Sequence, residues 1–271
     1  METKTYLIEE LLKEYTITTS NKTVLLDRIL NEMLRNIGHS DGLLRDKIIY
    51  NEFCKLLLTD SFNRDQINHV INKCIDNLSF NIYEKNTDSV FTRSFSILFL
   101  HAIIYYDNQK QVLSEDDFDF IFQSGLQYFK AENDVRGWIK DKGWAHAPAH
   151  TSDFMVECVK SRYFKKSFVN EILEAIHSNL FKLQIDNICY IDDEDIRMSL
   201  IIVHLLNKSY ISEEDVSGWL KSIKCRLESI SSNKVEYYRV NKNYTDLIRA
   251  LFFQIENFKF LQENIIYLLK N

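Results

Sequence analysis

Apolar residues return at helical spacing along almost the whole chain, and short polar stretches interrupt them. The pattern predicts helices over residues 3–15, 21–37, 41–59, 63–79, 88–107, 115–130, 144–160, 167–183, 193–208, 213–231, 244–256 and 258–270. Two of the starts are sharply marked. Ser114 stands three residues before Asp117, and Ser212 three before Asp215. In each pair a hydroxyl can accept a bond from a free backbone N–H of the first turn, while acidic side chains face the positive helix end.

The same two caps disclose a repeat. Ser96-Ile-Leu-Phe-Leu-His101 leads into Leu113-Ser114-Glu115-Asp116-Asp117-Phe118, and Ser199-Leu-Ile-Ile-Val-His204 leads into Ile211-Ser212-Glu213-Glu214-Asp215-Val216. A fainter copy starts at Arg45-Asp46 and turns at residues 61–65. Helix pairs recurring at about 40 to 50 residues cannot each bury an apolar face alone and must stack on one another. The expectation is an all-α protein of stacked antiparallel helix pairs in a right-handed array, a HEAT-like α-solenoid or α-α superhelix. With no linker in view, residues 1–271 read as one all-helical domain.

Composition sharpens this picture. One proline and six glycines in 271 residues leave too few turn formers for sheets or long loops. Apolar residues make up 45% of the chain and charged residues 27%, the balance of a globular protein. The longest apolar run, Phe95 to Tyr106, is broken by Ser96 and His101, so no membrane span is expected. Met1 to Glu10 has neither the basic start nor the apolar run of a secretion signal, and a cytoplasmic location is the expectation. Cys54, Cys74, Cys158, Cys189 and Cys225 are odd in number and form no CxxC pair, which points to buried thiols rather than a disulfide framework or a cysteine zinc site. A net charge of -6 disfavours nucleic acid as a partner.

One segment departs from its surroundings. Residues 132–153 hold the only proline, two of the six glycines, two of the three tryptophans and two of the seven histidines. Gly137 and Gly143 imply a compact, specifically shaped connection. If a helix starts near Trp144, Pro148 falls in its first turn, where a missing N–H costs least. At about 100° per residue, His146, His150 and Asp153 then share one narrow stripe. Two imidazoles and a carboxylate in that arrangement suit a divalent metal such as zinc, with Asp134 or Glu132 available to complete the set. The spacing also resembles that of zinc-peptidase helices, but Ala147 stands where their glutamate base would be.

Two other readings of the segment stay open. His146, His150, Asp153 and Arg136 can form an internal hydrogen-bonded network that pins the connection. Alternatively Arg136, Trp138 and Trp144, with Asp134, can anchor a ligand or partner, as aromatic and arginine residues often do. The anchor role requires both tryptophans to be exposed.

Arg136-Gly137-Trp138, Lys142-Gly143-Trp144-Ala145-His146, Ala149-His150 and Asp153 together resemble the signature of an uncharacterised bacterial family, the domain of unknown function numbered 2785. Arg93-Ser94-Phe95-Ser96 resembles a second block of that family, and the likeness spans most of the chain. Trp138 and Pro148 occupy positions at which the family pattern varies. The resemblance implies a helical, HEAT-like protein and brings no reaction, substrate or cofactor with it.

Elsewhere, His101 and His204 hold equivalent places in the two repeat copies, which predicts a shared packing role. His177 is placed to approach the stripe from the next helix. Lys160, Arg162, Lys165 and Lys166 with Tyr163, Phe164 and Phe168 could grip phosphate and stack a base, with Trp138, Trp144 and Asp153 then holding it as in a HEAT-like DNA glycosylase, but the short basic run reads better as a solvated helix end. The acidic runs 115–117 and 192–195 lack the spacing of a calcium loop and read as first turns. The function expected is a protein- or peptide-binding scaffold, with a metal-dependent, hydrolase-like enzyme using His146, His150 and Asp153 as the alternative.

Overall fold

The computed structural model describes residues 7–18, 21–183 and 188–270. Among them are twelve α-helices and one two-stranded sheet, so the chain is all-α. The helices are α1 (Leu7–Ile17), α2 (Lys22–Arg35), α3 (Asn51–Leu58), α4 (Arg64–Leu78), α5 (Ser89–Lys110), α6 (Glu115–Ala131), α7 (Ala147–Lys160), α8 (Val169–Leu180), α9 (Glu194–Asn207), α10 (Glu213–Glu228), α11 (Val235–Gln254) and α12 (Lys259–Lys270). A π-helical stretch, Leu43–Tyr50, runs directly into α3. Residues 3–6 of the first expected helix lie outside the described residues.

The caps read from sequence form. Ser114 Oγ accepts from Asp117 N at 3.2 Å while Ser114 N donates to the Asp117 carboxylate at 2.9 Å, a capping box at the start of α6. Ser212 accepts from Asp215 N at 3.1 Å at the start of α10.

Helices α5, α7, α9 and α11 lie side by side in that order, and α4 also packs on α5. Helix α6 packs on α4, α7 and α8, and α10 packs on α11 and α12. The two matching sequence copies are therefore not neighbours in space, because α7 lies between α5 and α9 and carries the irregular connection in place of the repeat pattern. Buried apolar side chains form one cluster from Ile8 to Leu268. Helix α5 is long and apolar enough to cross a membrane, yet 83% of its most apolar window is buried inside the molecule, so it serves as the central core helix.

Among the described residues, two helix starts differ from expectation by three residues or more. Helix α11 starts at Val235 rather than near residue 244. Its first turns are polar, but Asn243 is buried there, accepting from Tyr190 N at 2.9 Å and donating to Leu180 O at 3.1 Å. Hydrogen bonds to distant backbone, which leave no periodic trace in sequence, hold that half of the helix. Helix α7 starts at Ala147 rather than near Trp144 because residues 138–144 form a hairpin.

Candidate functional site

Strands β1 (Trp138–Ile139) and β2 (Gly143–Trp144) pair antiparallel, with Trp138 opposite Trp144 and Ile139 opposite Gly143. Gly143 has φ 85°, a left-handed conformation that admits glycine at no steric cost. Beyond the strands the pairing continues, as Ala145 N donates to Gly137 O and His146 N to Arg136 O, both at 2.9 Å. The register brings the two indoles edge to face with centroids 5.0 Å apart, and they stay 57% and 37% exposed for Trp138 and Trp144.

Buried charge holds this hairpin in place. Arg45, with no exposed surface, stacks on Phe91 and Phe95 and donates to His39 O at 2.7 Å and to Lys142 O at 2.8 Å. At the base of the hairpin Arg93 is equally buried and grips both oxygens of Glu132, at 2.6 and 3.0 Å. Glu132 also accepts from Asp134 N at 2.8 Å. The Asp134 carboxylate takes two bonds from Arg136, at 2.8 and 2.6 Å, and one from Asn86 N at 2.9 Å. Arg136 spends a further N–H on Thr87 O at 2.7 Å. Arg136 and Asp134, expected as partner-binding residues, are thus consumed in an internal network, and Trp138 and Trp144 are the exposed members of that set.

His146 precedes α7 rather than riding on it. Its backbone is left-handed, φ 51° and ψ 32°, so the helical stripe reduces to His150 and Asp153. Pro148 lies in the first turn, as its sequence position implies. The His146 ring stacks on Trp144 at 4.7 Å and places Nε2 2.6 Å from Asp192 O. Glu194 Oε1 lies 3.7 Å from the same nitrogen. The His150 ring meets His146 edge-on at 5.7 Å, meets Phe95 at 5.5 Å, and places Nδ1 3.3 Å from Ser94 O. A carbonyl oxygen can only accept, so His146 is protonated on Nε2 and His150 on Nδ1. The opposite nitrogen of each ring keeps its lone pair. Burial lowers both pKa values, that of His150 to about 3, so both rings are neutral near pH 7.

Asp153 does not join the histidines as a ligand. Arg197 Nη1 from α9 contacts both its oxygens, at 2.9 and 2.8 Å. Among the described residues no group of three or more histidine, cysteine, aspartate or glutamate side chains is placed to hold a metal ion. The metal set expected at His146, His150 and Asp153 is not assembled, because the hairpin turns His146 off the helix and Arg197 engages the carboxylate.

Those three residues nevertheless share one cavity of about 590 Å³, together with Tyr50, His101, Trp144 and Arg197. Three of these, Tyr50, His101 and Arg197, lie outside the set expected from sequence. Tyr50 ends the π-helical stretch, a local widening often found at functional sites. His101, expected to pack like His204, is partly buried on α5 and has a buried Nδ1 without a partner. His204 is not among the residues around the cavity. Nor is His177, which lines a separate cleft with Trp219 and Asp215. The 192–195 run is more than an acidic first turn. Asp192 Oδ2 accepts from Trp138 N at 3.0 Å, its carbonyl holds His146, and its N–H donates to the fully buried Glu194 at 2.9 Å.

Three of the four basic residues around the end of α7 are paired with acids. Lys160 meets Glu157, Arg162 meets Asp107, and Lys165 meets Glu115 and Asp119.

The model of a family described as a protein of unknown function, DUF2785, matches residues 78–253. The chain belongs to DUF2785. Both DUF2785 sequence blocks lie within that span, and they touch: Ser94 O and Phe95 of the first hold the His150 ring of the second. Arg45 and Tyr50 reach the same place from outside the matched residues. No curated protein and no solved structure matches the chain.

Proposed function

We propose that this DUF2785 protein is a peptide-recognition module, in which HEAT-like stacked helix pairs form one rigid domain that presents the hairpin and the cavity beside it. The observation that carries the reading is the exposed Trp138–Trp144 pair at a cavity of about 590 Å³. Exposed indoles cost solvation, and large aromatic anchors dominate the energy of many protein interfaces. The mounting supports the same reading. Arg45, Asp192 and the hairpin bonds fix Trp138 and Trp144 before any partner arrives, so little conformational entropy is lost on binding. The hydrolase alternative has no assembled ligand set to favour it.

The test is a fluorescence-anisotropy screen of labelled short-peptide pools against the whole protein and a Trp138→Ala/Trp144→Ala variant. Pools that bind the wild type should bind the double variant at least about tenfold more weakly, a loss of about 1.4 kcal/mol. Equal binding to both proteins, or no binding to the wild type at about 1 mM, contradicts the reading.

A further inference from the structure

The cavity beside the tryptophan pair offers far more hydrogen-bond acceptors than donors. Each backbone carbonyl that fixes a histidine consumes that ring's N–H, Asp192 O on His146 and Ser94 O on His150. Lone pairs remain on His146 Nδ1 and His150 Nε2, for which there is no partner among the described residues. His101 adds its ring to the wall from α5, with an unpartnered Nδ1 sealed behind the surface. Burial holds the His101 ring below its ordinary pKa as well, so the cavity wall is uncharged imidazole rather than imidazolium.

The charged side chains lean the same way. Asp153, Asp192 and Asp193 line the cavity against one basic residue, Arg197. Arg197 comes from α9, is 45% exposed, and lays its guanidinium on Asp153. The chain's own fold thus shows a cationic nitrogen group accommodated at this carboxylate. The rings of Trp144 and Tyr50 border the same space, and aromatic rings attract cations. An anionic ligand would meet three carboxylates and the lone pairs of two imidazoles, with Arg197 the one cation to offset them.

We propose that the cavity receives the cationic side chain of a bound peptide, the ammonium of lysine or the guanidinium of arginine, which displaces Arg197 from Asp153 and donates to the histidine nitrogens and the carboxylate. This rests on the peptide-recognition reading and adds to it the chemistry of the residue recognised. Hydrogen bonding to Asp153 and to neutral imidazole selects a donor-rich group, and the aspartates select its charge. Arg197 acts as an internal competitor for the same carboxylate, so its removal strengthens binding.

The experiment uses the whole protein and peptide pools with one fixed central residue: lysine, arginine, Nε-acetyl-lysine, norleucine or glutamate. Lysine or arginine pools should bind about tenfold more tightly than acetyl-lysine, norleucine and glutamate pools. Asp153→Asn should erase that preference while pools continue to bind through the tryptophans, and Arg197→Ala should tighten the basic pools several-fold. Circular dichroism of both variants establishes that they fold, and His101→Ala serves as a second probe of the cavity wall, expected to weaken the basic pools alone. Tighter binding of glutamate pools, loss of basic-pool affinity in Arg197→Ala, or equal affinity for lysine and acetyl-lysine overturns the proposal. If pools bind through Trp138 and Trp144 without charge preference, the cationic assignment fails and the recognition reading stands. If free spermine competes as well as the basic peptides, the cavity takes the amine without the chain, and the peptide-borne assignment fails. If no pool binds, both fail.

Discussion

At the scale of single residues, the chain places charge in its interior and then satisfies it. Arg93 and Glu132 are almost without exposed surface and form a two-point ion pair, while Arg45 is held by carbonyls and by two phenylalanine faces. Such pairs add little net stability compared with apolar packing, but breaking one leaves a bare buried charge, so they enforce one arrangement of hairpin and helices. Glu194 is also buried, and its Oε1 has no hydrogen-bond partner. Burial raises its pKa from 4.5 to about 7. Between those values the folded chain retains a proton that the unfolded chain has released, so this group's contribution to stability is full below pH 4.5 and is lost as pH rises through about 7. The loss amounts to about 3 kcal/mol. Urea unfolding of wild type and Glu194→Gln across this range should show the variant gaining on the wild type as pH rises. A difference independent of pH contradicts this account of Glu194. Sequence could single out His146, His150 and Asp153 through the crowding of unusual residues around them. It could not place Arg45, His101 or Glu194 at the site, because their approach to Lys142, to the cavity and to His146 depends on the fold rather than on their neighbours in sequence.

At the scale of elements, helix periodicity was legible almost everywhere, since an apolar face packed on a core repeats locally. The exceptions share a cause. The hairpin at 138–144 and the first half of α11 are both held by long-range hydrogen bonds, from Trp138 N to Asp192 and from Asn243 to Leu180 and Tyr190. His146 leaves the expected stripe because its N–H pairs with Arg136 O, which turns the residue out of the helix. Helix α6 offers a test of element packing. Gly125 lies in its interior, and a Cβ there would fall 2.2 Å from the ring of the fully buried Phe154 on α7. Helix propensity alone predicts that Gly125→Ala stabilises by about 1 kcal/mol. Overpacking of a filled core costs about 1 to 3 kcal/mol and should win, because the obstacle is an aromatic ring enclosed on all sides. Denaturant titration of Gly125→Ala should therefore show lower stability, and a stabilised variant would mean that α6 and α7 pack less closely than described.

For the whole molecule, the row α5, α7, α9 and α11 carries the site at its centre, where α7 begins. The hairpin bridges α5 to the start of α9, so the cavity draws on residues from position 50 to position 197. That all-α character was plain from the scarcity of proline and glycine, and the family resemblance from two short blocks that the fold brings into contact. The proposed recognition of a peptide was not written in any local pattern, because it depends on how carbonyls, carboxylates and rings from four segments converge. The three tryptophans provide the most direct test of the central claim. In the NMR spectrum, titration with the binding peptide pools should shift the indole N–H resonances of Trp138 and Trp144. The resonance of Trp219, whose N–H donates to Leu173 O away from the cavity, should stay in place. Binding that leaves the Trp138 and Trp144 signals unmoved, or that moves only Trp219, would contradict the account.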